Sequence, residues 1–204
     1  KKLIFFLGSK IEPQIILELD KDIRNEIVSI VGEHTFLDIV SKLDTDDLIF
    51  ILEDVEEDKR GQYLKLLPKK SQRELVKKGL KFPEDTAGRI MSTNIVSISG
   101  SWTIGKTLKY LRQKKEVLPD DIYEVYILDN KRRPIGTLNL NIIVRSTSGT
   151  VVKDIMNKQF KTIPINTDQE EIALGFKQSN LIAAPVVDKS GKIVGKITYE
   201  DVID

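Results

Sequence analysis

Ile155-Met156-Asn157, residues 162–165, residues 167–178, Ala184-Pro185-Val186-Val187-Asp188 and Val194-Gly195-Lys196-Ile197-Thr198 form one pattern, and an earlier copy precedes it. The earlier copy runs Ile90-Met91-Ser92, 96–98, 103–113, Val125-Tyr126-Ile127-Leu128-Asp129 and Ile135-Gly136-Thr137-Leu138. Met91 and Met156, the only methionines, stand 65 positions apart and open the two copies. Self-similarity at a fixed interval sets the architecture before any single residue is interpreted. Each copy reads β-α-β-β-α, with strands rich in Val, Ile and Tyr around an amphipathic helix. A copy of roughly 50 to 60 residues is marginal for a core of its own. The expectation is two copies packed together, their sheets mutually buried, with a cleft between them.

Residues 1–82 read as helix. Ile23, Ile27, Ile30 and Val31 follow one face, as do Phe36, Leu37, Val40 and Leu43. Leu19-Asp20-Lys21-Asp22, Leu43-Asp44-Thr45-Asp46 and Leu67-Pro68-Lys69-Lys70 recur at a spacing of 24 and mark helix junctions. Asp suits a helix N-cap and Pro the first turn, so the segment predicts a stacked-helix array. Charge here is segregated. Eight acids and no base lie between Asp44 and Asp58, and nine bases with one acid, Glu74, between Lys59 and Lys81. Charge runs are usually solvated faces, but eight acids without a base raise the question of which cation they meet.

The fold class is therefore α+β: a helical domain at 1–82, a junction and first copy at 83–147, and a second copy at 148–204. In the junction, Phe82-Pro83-Glu84-Asp85-Thr86-Ala87-Gly88-Arg89, Pro83 ends the helix and Gly88 is expected to supply the turn. The chain has 204 residues and a net charge of +1, which gives no electrostatic case for nucleic acid. It has no cysteine, hence no disulfide framework or thiolate site. No apolar run approaches the roughly 20 residues of a membrane span. The start at Lys1-Lys2 and the stop at Val202-Ile203-Asp204 read as cuts in a longer protein. His34 is the single histidine and is expected at a helix end; Trp102 is expected to pack; Ser146-Thr147-Ser148-Gly149 reads as a polar linker. With no nucleophile and base converging, the fragment is not expected to be an enzyme.

The paired copies, closed by Gly195-Lys196-Ile197-Thr198-Tyr199-Glu200-Asp201, resemble a tandem cystathionine-beta-synthase (CBS) domain pair. The junction Glu84-Asp85-Thr86-Ala87-Gly88-Arg89-Ile90-Met91, the run Thr167-Asp168-Gln169-Glu170-Glu171 and the preceding helical array together resemble the cytosolic region of MgtE-type magnesium channels and transporters. The resemblance implies a homodimer held through its CBS domains at the cytoplasmic face of the cell membrane. It further implies a connecting plug helix and a transmembrane pore outside this sequence, and regulatory Mg2+ bound between acidic surfaces to close that pore.

By that resemblance the metal-binding acids are Asp46, Asp47, Glu170, Asp201 and Asp204. Magnesium is a hard cation that keeps several waters and takes one or two carboxylates directly. Each acid also has a plainer reading. Asp46 or Asp47 would cap a helix, Glu170 would compensate a helix dipole, and Asp201 and Asp204, at i and i+3 of a closing helix, would face solvent. Asn180, Phe50 and Arg89 depart from the family pattern, the first two where acids are expected. Some CBS pairs bind adenine nucleotides. Here the second copy retains Thr198 and Asp201 for phosphate and ribose. The first copy carries Ile142 in the ribose aspartate's place and Glu124 where a base would stack, so ATP is not expected there. The alternatives to magnesium sensing are an adenine-nucleotide-binding CBS module and a dimerisation scaffold.

Overall fold

The structure is a computed structural model that describes residues 2–114, 118 and 122–202, without the side chains of residues 2, 3 and 5. It divides into two compact units, Lys1–Glu84 and Asp85–Asp204.

The first unit is helical: α1 (Lys2–Leu7), α2 (Pro13–Leu17), α3 (Lys21–Val31), α4 (Glu33–Val40), α5 (Thr45–Glu53), α6 (Glu57–Leu66) and α7 (Lys70–Gly79). The junctions at 20, 44 and 69 sit at the N-caps of α3, α5 and α7. Asp20 and Asp44 hold those positions with extended backbone but make no capping hydrogen bond. Pro68 precedes the cap of α7 instead of entering its first turn. The core gathers Ile16, Ile27, Phe36, Leu37, Ile39, Val40, Leu48, Ile51, Leu52, Leu67 and Val76. The inward face of α3 differs from the apolar stripe expected of it. Ile27 is buried, but Ile23 is 41% exposed and Arg24 only 7%. The helix is rotated so that Arg24, Ile27, Val28 and Val31 (i, i+3, i+4, i+7) point inward, which brings Arg24 to Asp54 and the Leu17 and Leu19 carbonyls.

The second unit contains both copies. The first runs α8 (Ala87–Ile90), β1 (Ser97–Ser99), α9 (Ile104–Gln113), β2 (Glu124–Leu128), β3 (Pro134–Asn139) and α10 (Leu140–Arg145). The second runs α11 (Val152–Ile155), β4 (Ile163–Pro164), α12 (Gln169–Ser179), β5 (Ala183–Val187), β6 (Ile193–Thr198) and a 3-10 turn at Glu200–Val202. Each copy forms a three-stranded sheet with the same topology: β1 parallel to β2 and β2 antiparallel to β3, then β4, β5 and β6 likewise. The ladders break at the same place, Ile127/Leu128 in one and Val186/Val187 in the other.

The copies exchange edges. Ser92, at the opening of the first, bridges Lys196 of β6; Asn157, at the opening of the second, bridges Thr137 of β3. Behind each bridge the methionine crosses over too. A Cβ on Gly195 would lie 2.6 Å from Met91 Sδ, and one on Gly136 would lie 2.7 Å from Met156 Sδ. A Cβ would also crowd a backbone carbonyl at each position, Ser92 O at 2.9 Å and Asn157 O at 3.0 Å, which favours glycine at both. One face of β2 (Val125, Ile127) packs on its helices with Ile98, Ile104, Leu138 and Ile143. Period-two alternation puts Glu124, Tyr126 and the paired Thr137 on the other face.

The junction straps onto the second copy. Ala87 N donates to Thr167 O (2.8 Å), Gly88 N to Ile165 O (2.8 Å) and Gln169 N to Asp85 O (2.7 Å). The left-handed residue is Asp85 (φ 61°), not Gly88, which is buried inside α8.

Candidate functional site

Asp44 occupies the N-cap of α5, so neither Asp46 nor Asp47 is the cap; both fall in the helix's first turn and are half-buried. Carboxylates there gain from the helix dipole. The acidic run does find cations within its own unit. Arg24 Nε donates to Asp54 Oδ2 at 3.0 Å, its Nη2 reaches the same oxygen, and its Nη1 meets the Leu17 and Leu19 carbonyls. Phe50, standing where an acid was expected, lies 5.1 Å under the Arg24 guanidinium. Arg60 closes the other end of α5 by donating to the Leu52 (3.0 Å), Glu53 (3.0 Å) and Val55 (3.2 Å) carbonyls, a cationic cap on the negative helix terminus.

In the second unit, Thr198 and Asp201 are brought together. The Thr198 amide donates to Asp201 Oδ2 at 2.6 Å, so the carboxylate reaches back to the start of the turn as in a capping box. Burial pushes the Asp201 carboxyl above its ordinary range, and the Thr198 hydrogen bonds and Lys196 oppose that shift. Asp201 is thus a partly desolvated carboxylate holding a 3-10 turn, not an exposed helix-face acid. Asp204 lies outside the described residues. Glu170 is exposed in the first turn of α12, its amide donating to the N-cap Asp168 Oδ1 at 2.8 Å. Asn180 adopts the left-handed conformation (φ 47°) that ends α12, a position asparagine tolerates better than most residues. His34 is exposed at the second position of α4. Among the described residues, no three Asp, Glu or His side chains converge on one point as a metal cage does.

A cavity of about 510 Å3 opens between the copies. Its walls include Tyr123, Glu124, Thr137 and Asn139 from the first copy and Phe160, Lys161, Asn180 and Pro185 from the second. It therefore lies at the first copy's end of the cleft, where Asn139 takes the place that Thr198 holds in the second copy. Glu124 is its notable wall. Burial raises the Glu124 carboxyl above its ordinary value, against the pull of Thr137, Tyr126 and Lys196. The Tyr126 hydroxyl is pushed up in turn, by burial first and by Glu124 second. Lys161 Nζ donates to Ser179 Oγ at 2.7 Å. Glu124 thus lies on the wall of this cavity as a partly desolvated carboxyl.

Sequence reasoning missed Arg24 and Phe160. Arg24 sits inside an apolar periodicity, and its only signal was the unanswered acidic run. Phe160 carried no pattern, because the cavity is assembled from loops of both copies.

Residues 1–85 match the MgtE intracellular N domain family, and residues 87–149 and 152–204 match the CBS domain family. The magnesium transporter MgtE of Thermus thermophilus is 34% identical over 61% of this chain and 27% of its own length. The magnesium transporter MgtE of Bacillus subtilis is 26% identical over 93% of this chain and 42% of its own. The chain thus spans less than half the length of the curated relatives it matches. The crystal structure of the cytosolic domain of the Mg2+ channel MgtE in complex with ATP superposes with a TM-score of 0.79 at 26% identity, covering 98% of this chain and 92% of that one.

Proposed function

We propose, from the premise that this chain belongs to the CBS-domain family and carries an MgtE intracellular N domain ahead of its CBS pair, that it is the magnesium-sensing regulatory region of a magnesium channel or transporter. The observation that carries this reading is the order of those domains over nearly the whole chain, in relatives named as magnesium transporters.

The chemistry supports it. A sensor of an abundant cation must bind weakly, and Mg2+ with several retained waters needs only one or two carboxylates. Asp46 and Asp47 offer two, half-exposed in one helical turn. Glu170, Asp201 and Asp204 supply acids in the second unit. In the magnesium-loaded state these surfaces share the ion, which offsets the like-charge repulsion of a compact form. Preferential binding to that form shifts the population towards it. The compact form is a homodimer joined through its CBS domains, and it closes a pore reached through a plug helix. Both the pore and the plug lie outside this sequence, which places the region at the cytoplasmic face of the cell membrane. Its role is regulatory and involves no catalysis.

Small-angle scattering and limited proteolysis across a magnesium titration test the reading. The expected result is a smaller radius of gyration and slower cleavage at low millimolar magnesium, reversed by a chelator. An unchanged radius and cleavage pattern would sink it.

Adenine-nucleotide control is the second reading, favoured by the cavity between the copies and by the ATP complex of the relative. Glu124 and Ile142 weigh against it at the first copy. The second copy keeps Thr198 and Asp201, and calorimetry with ATP on Asp201→Ala tests that end of the cleft.

A further inference from the structure

We propose that the lysine face of α7 docks on an anionic lipid surface. The magnesium reading leaves the basic half of the first unit unused. Lys70, Lys77 and Lys78 recur at i, i+7 and i+8, on one face about 100° wide, and Lys81 continues it at i+11, just past the helix end. All four are exposed, as is Lys69. Val76 and Gly79 are buried, and a Cβ on Gly79 would overlap Ile49 of α5. That packing fixes the rotation of α7 and holds the lysines outward.

A solvated face usually mixes signs. Here Glu74 is the single acid on the face, and Leu75, 40% exposed, sits at its flank. Elsewhere in the unit Asp54 pairs with Arg24 and Lys21, and Glu56 with Lys59. Among the described residues the five lysines form no ion pair. From Lys69 to Lys81 they spread over about 18 Å at helical rise, along α7 and its two ends. That shape suits a plane of negative charges better than a single anion, and a basic helix face flanked by an apolar side chain is the pattern of a membrane-surface element. Each lysine held at an anionic leaflet raises partition about fivefold, so the effect is local to this face although the chain's net charge is only +1.

The 204-residue chain is sedimented with phosphatidylglycerol vesicles and with phosphatidylcholine vesicles, in chelator, so that the outcome does not depend on magnesium. Binding is expected to the first and not to the second. Lys70→Gln/Lys77→Gln/Lys78→Gln is expected to lose about a hundredfold in partition, the product of three fivefold terms, with an unchanged circular dichroism melt. Lys131→Gln/Lys158→Gln/Lys189→Gln, which makes the same change of charge in the second unit, is expected to retain binding. Equal partition to both lipids, no partition to either, or equal loss in both triple variants overturns the proposal. So does capture by polyglutamate without partition to phosphatidylglycerol, which assigns the face to an acidic polypeptide.

Discussion

Met91 rests on the bare backbone of Gly195, with Ser92 O standing 2.9 Å from where a Cβ would lie and Met91 Sδ closer still. The methionine belongs to the opening of the first copy and the glycine to the last strand of the second. A methionine tip can swing aside, but Ser92 O cannot, because its carbonyl accepts from Lys196 N at 2.9 Å. Gly195→Ala is therefore expected to cost about 1–3 kcal/mol by overpacking. Trp102, the only tryptophan, reports on the second unit alone, so its fluorescence in urea checks the shift. An unmoved midpoint would refute the argument.

Arg24 makes a separate prediction for the first unit. It is 7% exposed and its counter-ion Asp54 only partly covered. Asp54→Ala leaves a buried guanidinium with carbonyl partners only, and should cost about 3 kcal/mol. The loss should appear in the helical circular dichroism transition while the Trp102 transition stays in place. Arg24→Met, which removes the charge and keeps the stem, should cost less than Asp54→Ala.

Glu124 sets a pH dependence. Its folded-state pKa lies above the ordinary carboxylate value of 4.5, chiefly through burial. The folded protein therefore binds a proton more readily than the unfolded chain does. The stability tied to that proton is present below 4.5 and is lost as pH rises through the folded-state value. Glu124→Gln stays neutral throughout. It should match the wild type near pH 4 and exceed it in urea midpoint at about pH 7; a constant offset at both pH values would contradict the assignment.

Asp201 combines a turn-holding contact with a charge, and two substitutions separate them. Asp201→Asn keeps an oxygen for the Thr198 amide and loses the charge, whereas Asp201→Ala loses both. If the carboxylate serves magnesium, both variants should raise the magnesium midpoint of compaction about tenfold. Only Asp201→Ala should also lower the thermal midpoint of the second unit. A magnesium midpoint unchanged in Asp201→Asn would confine Asp201 to the turn.

The repeat made the second unit legible, because alternating strands and a helix between them leave a period that survives divergence. The helical unit was legible through its junction spacing. What stayed hidden were matters of rotation and partner. The apolar stripe on α3 pointed to Ile23, yet Ile23 is exposed and its neighbour Arg24 is buried on its acceptors. Gly88 looked like the hinge because glycine permits a left-handed turn, yet Asp85 takes that conformation and Gly88 is packed inside a helix. The repeat led to a cleft between the copies and to Glu124 at its first end, but walls such as Phe160 stayed hidden, since they come from separate stretches of both copies. The acids were visible as letters, but their burial was not: Asp201 is drawn back onto the Thr198 amide, while Glu170 stays exposed.

The crossed bridges, Ser92 with Lys196 and Asn157 with Thr137, have a bearing on ancestry. A single copy released from its twin would keep an opening residue with nothing to bridge and a sheet with one raw margin. A second molecule of the same peptide could satisfy both needs. The duplication therefore reads as the covalent fusion of what would otherwise be an intertwined pair, after which the two halves could diverge in sequence but neither could be discarded.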